Sequence, residues 1–267
     1  MAEEKTFWGH VEVFRWVLIR CIALVVGLAV VVFCNKDFVF EQLILAPCNA
    51  DFITYRLFEK VGMVAHVQQI DLININLSSQ LMTHLSISFY LAVVLAFPYL
   101  IVELWLFVKP ALYSNERKPA VVAVIAFFFQ FFLGMALAYF LIFPLTFSFL
   151  GTYQVSNRVV NQISLSSYIG TFIGLLFMMG IVFEMPIVAY FFGRIGVLRS
   201  AALKRWRKVS VVVVLVAAAF ITPSTDVFTM CLVAFPLWLL YEFSIFVVCQ
   251  VERKQKREEG EVDVAGA

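Results

Sequence analysis

Six apolar runs divide the chain, at roughly 16–34, 85–108, 120–150, 168–193, 209–222 and 227–249. Each predicts a helix, because only helices and closed barrels satisfy their own backbone in lipid. A helix needs about 20 residues to cross a hydrocarbon core about 30 Å thick. The third run is longer than that and is expected to tilt or protrude. The fifth, "VSVVVVLVAAAFIT", has 14 residues, or about 21 Å of helix, and is too short for an undistorted bilayer. The sixth is interrupted by Glu242, which leaves a similarly short apolar stretch before it. Two adjacent short spans are expected to thin the membrane along one edge. "TPSTD" (Thr222 to Asp226) joins them and predicts a tight turn with Pro223 and Asp226 as turn residues. No internal repeat is evident, which disfavours an inverted-repeat transporter.

The polar stretches between the runs differ in kind. The first connection has about 50 residues. Within it, Asp37 to Pro47 can form an amphipathic helix, and Val67 to Ser78 partly alternates, so an ordered outer cap is expected. The polar C-terminal segment, 251–267, has the composition of a disordered tail. Composition agrees with the runs: 63% of residues are hydrophobic and 14% charged, against about 45–50% and 25% in soluble domains. The predicted fold is therefore an all-α polytopic membrane protein of six transmembrane helices over residues 1–250.

The net charge of +2 is uninformative, but its distribution is not. Sixteen of the twenty lysines and arginines fall at the N-terminus, in the second and fourth connections and in the tail. The rest, Lys36, Arg56, Lys60 and Arg158, fall on the opposite side. The bias predicts that both termini are cytoplasmic. The five cysteines show no CxxC spacing and mostly lie in or beside apolar runs, as packing residues do. "LAPC" (Leu45 to Cys48) faintly resembles a lipidation box, which the proline before the cysteine argues against. The first run reads as a retained span rather than a removable signal peptide.

Acidic residues carry the chemistry. Glu184 stands in "GIVFEMPIVAY" (Gly180 to Tyr190), the one acid in an apolar run, two residues before Pro186. Glu103 and Glu242 also lie on inward-running spans, Glu116 in the cytoplasmic "KPALYSNERKP", and Glu12 before the first span. A carboxylate-rich face at the cytoplasmic interface suits a cationic ligand, above all a guanidinium held by two bonds. Blander roles compete. Glu103 and Glu242 can reach headgroups or pair with a nearby Lys or Arg, Glu184 can hold helices together, and Glu116 can belong to a solvated charge cluster. Glu184 as a proton relay would make the chain an ion-coupled transporter, yet few polar residues surround it in its span. No HExxH, GxSxG or Gly-rich phosphate loop is present, and His10, His66 and His84 have no metal spacing. Neither an enzyme, a metal, a cofactor nor a nucleic-acid partner is expected.

These segments bring a family into view. "ELWLFVKPALYSNERK" (Glu103 to Lys118), "GMALAYFLIFPLTFSFL" (Gly134 to Leu150), "GIVFEMPIVAY" and "TPSTDVF" (Thr222 to Phe228) follow in order along the chain. Together they resemble TatC, the polytopic core of the twin-arginine protein translocase. The resemblance implies a concave, glove-like bundle in the inner membrane that reads signal peptides bearing paired arginines. It implies a multimeric complex with single-span TatA- and TatB-type partners, which exports folded proteins on the proton-motive force. Carried over by position, Glu116 matches the loop acid that contacts the arginine pair, with Phe107, Leu112, Tyr113 and Arg117 around it. Glu184 matches the intramembrane acid where partner helices dock, with Thr222 and Thr229 as polar neighbours. Pro47 and Asp226 match an outer-loop proline and the outer-turn aspartate. The N-terminus departs from the family's H-L-x-E-L-R. "HVEVFRW" aligns His10 and Arg15, but Val13 stands where the glutamate belongs, and Glu12 is one residue earlier. Either Glu12 replaces that acid or the site is weaker, and a scaffold without peptide recognition stays open. Met230 likewise replaces a polar residue four after the turn aspartate.

Overall fold

The computed structural model describes residues 7–49, 51–60, 72–108, 117–154, 156, 161–222 and 226–265. At 7–10, 104–105, 107–108, 117–123, 256 and 258–265 it describes the backbone alone. The chain packs as two compact units that interleave in sequence: 1–128 with 148–173, and 129–147 with 174–267.

The first unit is built on α1 (Phe7–Cys34) and α3 (Ser79–Val108), which pack along their length. Small residues allow the approach: Ala92 and Ala96 of α3 are fully buried beside Val25 of α1, with Leu24, Leu28 and Ala29 around them. One polar clamp crosses this pair. Arg20 Nη2 donates to Glu103 Oε2 at 2.9 Å, and Tyr99 OH donates to the other oxygen at 2.5 Å. At the other end His84 stacks on Phe33, with ring centroids 4.0 Å apart.

The first connection is ordered where described, but its local geometry differs from the amphipathic α-helix expected over Asp37 to Pro47. Phe38–Ile44 forms a wide π-helical turn, and Ala46–Cys48 a tight 3-10 turn with Pro47 near its start. Proline's fixed φ suits a first turn and its missing N–H costs nothing there. Two tyrosines receive the carbonyls flanking this junction: Tyr168 OH donates to Ile44 O at 2.6 Å and Tyr55 OH to Pro47 O at 3.0 Å. Tyr55 comes from α2 (Ile53–Lys60). Burial pushes the pKa of the Tyr55 hydroxyl up, and that of the Cys48 thiol too, the latter partly offset by a hydrogen bond with Tyr168. The alternating stretch supplies β1 (Leu72–Ile73), which pairs in parallel with β2 (Ile163–Ser164), Leu72 opposite Ile163. Residues 67–71 lie outside the described set.

The third apolar run forms α4 (Arg117–Leu137), a π-helical stretch (Ala138–Ile142) and α5 (Phe143–Thr152) without interruption. The fourth forms α6 (Leu165–Phe183) and α7 (Met185–Arg194), broken at Glu184. A short α8 (Ser200–Arg205) leads to α9 (Arg207–Ile221), and α10 (Val227–Ala265) closes the chain. In the second unit α10 packs against α7, α8 and α9. Among the described residues, five helical stretches are long and apolar enough to cross a membrane, so the protein is a multi-pass membrane protein. α9, with 15 residues, falls below that length, as its short run implies.

The tail departs from expectation. α10 continues through 251–265, where composition suggests disorder. Gln, Lys, Arg and Glu are good helix formers, and an existing helix extends into them without a new nucleation step.

Close packing in the second unit depends on two glycines. A Cβ on Gly134 of α4 would lie 2.7 Å from Met179 O and from Phe183 Cβ. A Cβ on Gly180 of α6 would lie 2.8 Å from Phe131 Cε2. Phe183 therefore rests in the notch at Gly134 and Phe131 in the notch at Gly180, the small-residue contact that lets helices approach in lipid. Gly134→Ala sets a methyl against a backbone carbonyl that cannot rotate away. It is expected to cost about 1–3 kcal/mol, read as a lower thermal midpoint in detergent. At Gly174 an added methyl would meet nothing within 4 Å, so Gly174→Ala serves as the tolerated control.

The Arg20–Glu103 pair generates a second expectation. Glu103's side chain is 8% exposed and Arg20's 54%. Arg20→Gln strands a buried carboxylate, at a cost of about 1–3 kcal/mol once Arg20's exposure is discounted. Adding Glu103→Gln should recover part of that loss in a double-mutant cycle of thermal midpoints, and strict additivity would mean that the contact contributes nothing.

Candidate functional site

The fourth span breaks where its acid sits. Pro186 has no N–H to give to Val182 O and its ring crowds that carbonyl. The chain responds one turn earlier. Glu184 N–H bonds Ile181 O at 3.1 Å, a tighter turn than an α-helix, and Glu184 takes φ −71°, ψ −9°. Its own carbonyl then accepts the N–H groups of Ile187 and Val188 at 3.1 and 3.0 Å and starts α7. Phe183, seated at Gly134, precedes the break directly.

The side chain of Glu184 is buried, the residue being 6% exposed. Neither carboxylate oxygen has a hydrogen-bond partner among the described residues. In the same unit Thr146 Oγ1 and Thr229 Oγ1 are also buried without one. Leaving such a group unpaired in apolar surroundings is costly, and most so for a carboxylate. The chemical capacity of Glu184 is that of an acceptor awaiting a donor.

The other membrane acids are engaged. Glu103 holds Arg20 and Tyr99, and Glu242 accepts from Arg207 Nη2 at 2.6 Å, joining α10 to α9. The pairing with a nearby arginine open to both on sequence is the arrangement found.

Asp226 caps α10: its Oδ1 accepts the Thr229 N–H at 2.7 Å. Residues 223–225, including Pro223 of the expected turn, lie outside the described set. Thr222 is buried and donates back to Ala218 O at 3.0 Å, while Thr229 is fully buried. Met230 beside it is half-buried. Pro47 is buried at its tight turn and acts there through its carbonyl. On α1, Glu12, Val13 and Arg15 are exposed, and the Arg15 guanidinium lies 5.9 Å from the centroid of the Trp16 ring. Leu112, Tyr113 and Glu116 lie outside the described residues, and at Phe107 and Arg117 the backbone alone is described, as the last turn of α3 and the start of α4.

Two polar residues of the tail matter that sequence reasoning passes over. Glu252 accepts the Ser200 N–H at 2.7 Å and the Ser200 hydroxyl, which caps α8 from α10. Gln255 Nε2 donates to Arg194 O at 2.8 Å and closes the end of α7. The signal available was their spacing: three residues apart, they share a helix face if the helix continues.

Comparison with known proteins agrees with this architecture. The family model described as Sec-independent protein translocase protein (TatC) matches residues 9–236. The chain is 33% identical over 261 residues to a Sec-independent protein translocase protein TatC from Blattabacterium sp. subsp. Periplaneta americana (strain BPLAN), covering 94% of this chain and 98% of that one. It is 36% identical over 180 residues to the TatC of Helicobacter pylori (strain J99 / ATCC 700824), covering 67% and 72%. A crystal structure of the twin arginine translocase receptor TatC is similar with a TM-score of 0.71 and 30% identity, covering 91% of this chain and 99% of that one. This chain belongs to the TatC family and is a subunit of a Sec-independent protein translocase.

Proposed function

We propose that this subunit is the receptor of a twin-arginine translocase. It binds signal peptides bearing paired arginines at its cytoplasmic face. With single-span TatA- and TatB-type subunits, in a multimeric inner-membrane complex, it passes folded proteins across the membrane on the proton-motive force. Both termini face the cytoplasm, as the bias of lysine and arginine favours. The observation that carries the reading is the state of the three membrane acids. Glu103 and Glu242 are paired, while Glu184 has two buried oxygens without a donor among the described residues. An acceptor of that kind suits a polar side chain arriving on another helix. The similar crystal structure, described as that of a receptor, supports the peptide-binding half. In this reading Glu116, with Phe107, Leu112, Tyr113 and Arg117, contacts the arginine pair, while exposed Glu12 and Arg15 complete the site from α1. Glu184, Thr222 and Thr229 serve partner docking, and Pro47 and Asp226 hold the outer face.

Two sets of variants test the two halves. Glu116→Ala removes a charge-assisted bond and should weaken crosslinking of a twin-arginine peptide about tenfold or more, while leaving a twin-lysine control less affected. Adding Glu12→Gln should lower it further, and Val13→Glu should raise it. Equal loss for both peptides would sink the assignment. Glu184→Ala should leave the protein in the membrane with peptide bound while transport of a folded cargo falls about tenfold or more. A collapse in membrane yield with Glu184→Gln would instead make Glu184 a structural residue.

A further inference from the structure

The connection from Ile195 to Lys208 carries five cations, Arg199, Lys204, Arg205, Arg207 and Lys208, and no acid. It begins where the apolar helix ends at Arg194 and runs into α9, so it lies at a face of the bilayer. Two acids of α10 bond this connection: Glu242 pairs with Arg207, and Glu252 accepts from Ser200. Arg199, Lys204, Arg205 and Lys208 are exposed, and none of their side chains makes an ion pair or hydrogen bond among the described residues.

Their surroundings are rigid and apolar. α7 ends with Gly196 at φ +80°, where the N–H groups of Val197 and Leu198 return to Phe192 O at 3.0 and 3.1 Å. This is the left-handed cap that glycine favours, and it turns the chain sharply. Gln255, Glu252 and Tyr241 then fasten the segment to α10, the last through a bond to Leu203 O at 2.8 Å. Held in this way, Ile195, Val197 and Trp206 remain 72%, 71% and 59% exposed.

The positive-inside bias accounts for basic residues on one side of a membrane. It does not account for an exposed tryptophan and two exposed aliphatic side chains fixed beside four unpaired cations. That combination matches the boundary between headgroups and acyl chains, where apolar side chains dip inward and Lys and Arg meet lipid phosphates. A soluble anion would satisfy the cations but leave the three apolar groups in water.

We propose that the 195–208 connection is a binding site for anionic phospholipid. The headgroup phosphodiester is held by Arg199, Lys204, Arg205 and Lys208, and the acyl boundary is met by Trp206, Ile195 and Val197. The site is independent of the peptide-recognition reading and of which leaflet the connection faces.

The full chain, reconstituted in nanodiscs of phosphatidylcholine with or without phosphatidylglycerol, tests this by native mass spectrometry of the lipids retained on release. The wild type should retain phosphatidylglycerol in preference to phosphatidylcholine. Each cation near an anionic surface contributes about a fivefold factor. Arg199→Gln/Lys204→Gln/Arg205→Gln/Lys208→Gln should therefore lower phosphatidylglycerol retention at least about tenfold and leave phosphatidylcholine unchanged. Arg253→Gln/Arg257→Gln should change retention little, and an equal loss per charge there would reduce the effect to net charge and overturn the site. Displacement of the lipid by a large excess of inorganic phosphate would identify a soluble-anion site and also overturn it. On the unaltered chain, amide exchange in 195–208 should slow in phosphatidylglycerol nanodiscs relative to phosphatidylcholine alone; no difference there rejects the proposal even if the variant folds poorly.

Discussion

A carboxylate among apolar side chains has to find a donor, and the membrane helices of this protein are arranged around that requirement. The alternative is an unpaired charge or a wasted acceptor in a medium that cannot solvate either. Glu103 meets the requirement across a helix pair, since Arg20 reaches it from α1 while Tyr99 supports it from one turn back on α3. Glu242 meets it from the neighbouring helix through Arg207, nearer the surface. Arg207 is the first residue of α9 and reaches Glu242 from that helix end, its stem lying along apolar surface, whereas Arg20 reaches Glu103 from within α1. Glu184 lies deeper in its run, nine residues before the last apolar position at Gly193. No lysine or arginine among the described residues pairs with it, and its two oxygens define what another molecule could bring.

The placement of Glu184 is itself a packing result. Two aromatic rings and two glycines lock α4 to α6 one turn before the break, so the position of Phe183, and of the residue after it, is set to within the tolerance of a close-packed contact. Pro186 then prevents the helix from carrying Glu184 on around its axis in the ordinary way, because the hydrogen bond it cannot donate is replaced by a tighter turn. A methyl group at Gly134 would meet the backbone of α6 and move that helix, and the acid would move with it, while one at Gly180 would displace the ring of Phe131. Gly134 and Gly180 thus serve a site that they do not touch.

The large features were legible in the sequence because they follow from composition and length. Apolar runs became helices, the 14-residue run became a helix of 15, and the isolated acid at 184 coincided with a break that its proline predicts. Asp226 was legible as a turn residue, though its role as the cap of α10 depends on a bond to Thr229 that spacing only permits. The features that were not legible depend on partners distant in sequence. Leu72 and Ile163 pair as short strands although about 90 residues separate them, and two-residue strands carry no periodicity to read. The π-helical turn at Phe38–Ile44 is not distinguished from an α-helix by its hydrophobic pattern, and the bond from Tyr168 to the carbonyl of Ile44 comes from more than 100 residues away. The tail looked disordered because its polar composition was weighed without the helix that precedes it. The cluster at Glu116 is ordinary on charge alone, and the role proposed for it rests on the resemblance to a family.

The helical tail changes what the connection between α7 and α9 can be. Without it, Ile195 to Arg199 would be a short loop whose conformation varied with its surroundings. With α10 extended, Glu252 and Gln255 are delivered three residues apart onto the start of α8 and the end of α7. Each supplies what a helix end lacks: an acceptor for a free N–H at one and a donor for a free carbonyl at the other. The carboxylate of Glu252 is held by its bonds to Ser200, and no ion pair joins it to Arg199, Lys204, Arg205 or Lys208 among the described residues. The fixed shape of this connection therefore comes from α10. A basic segment fixed in shape at a bilayer face forgoes less conformational entropy on meeting a lipid headgroup than a flexible one would.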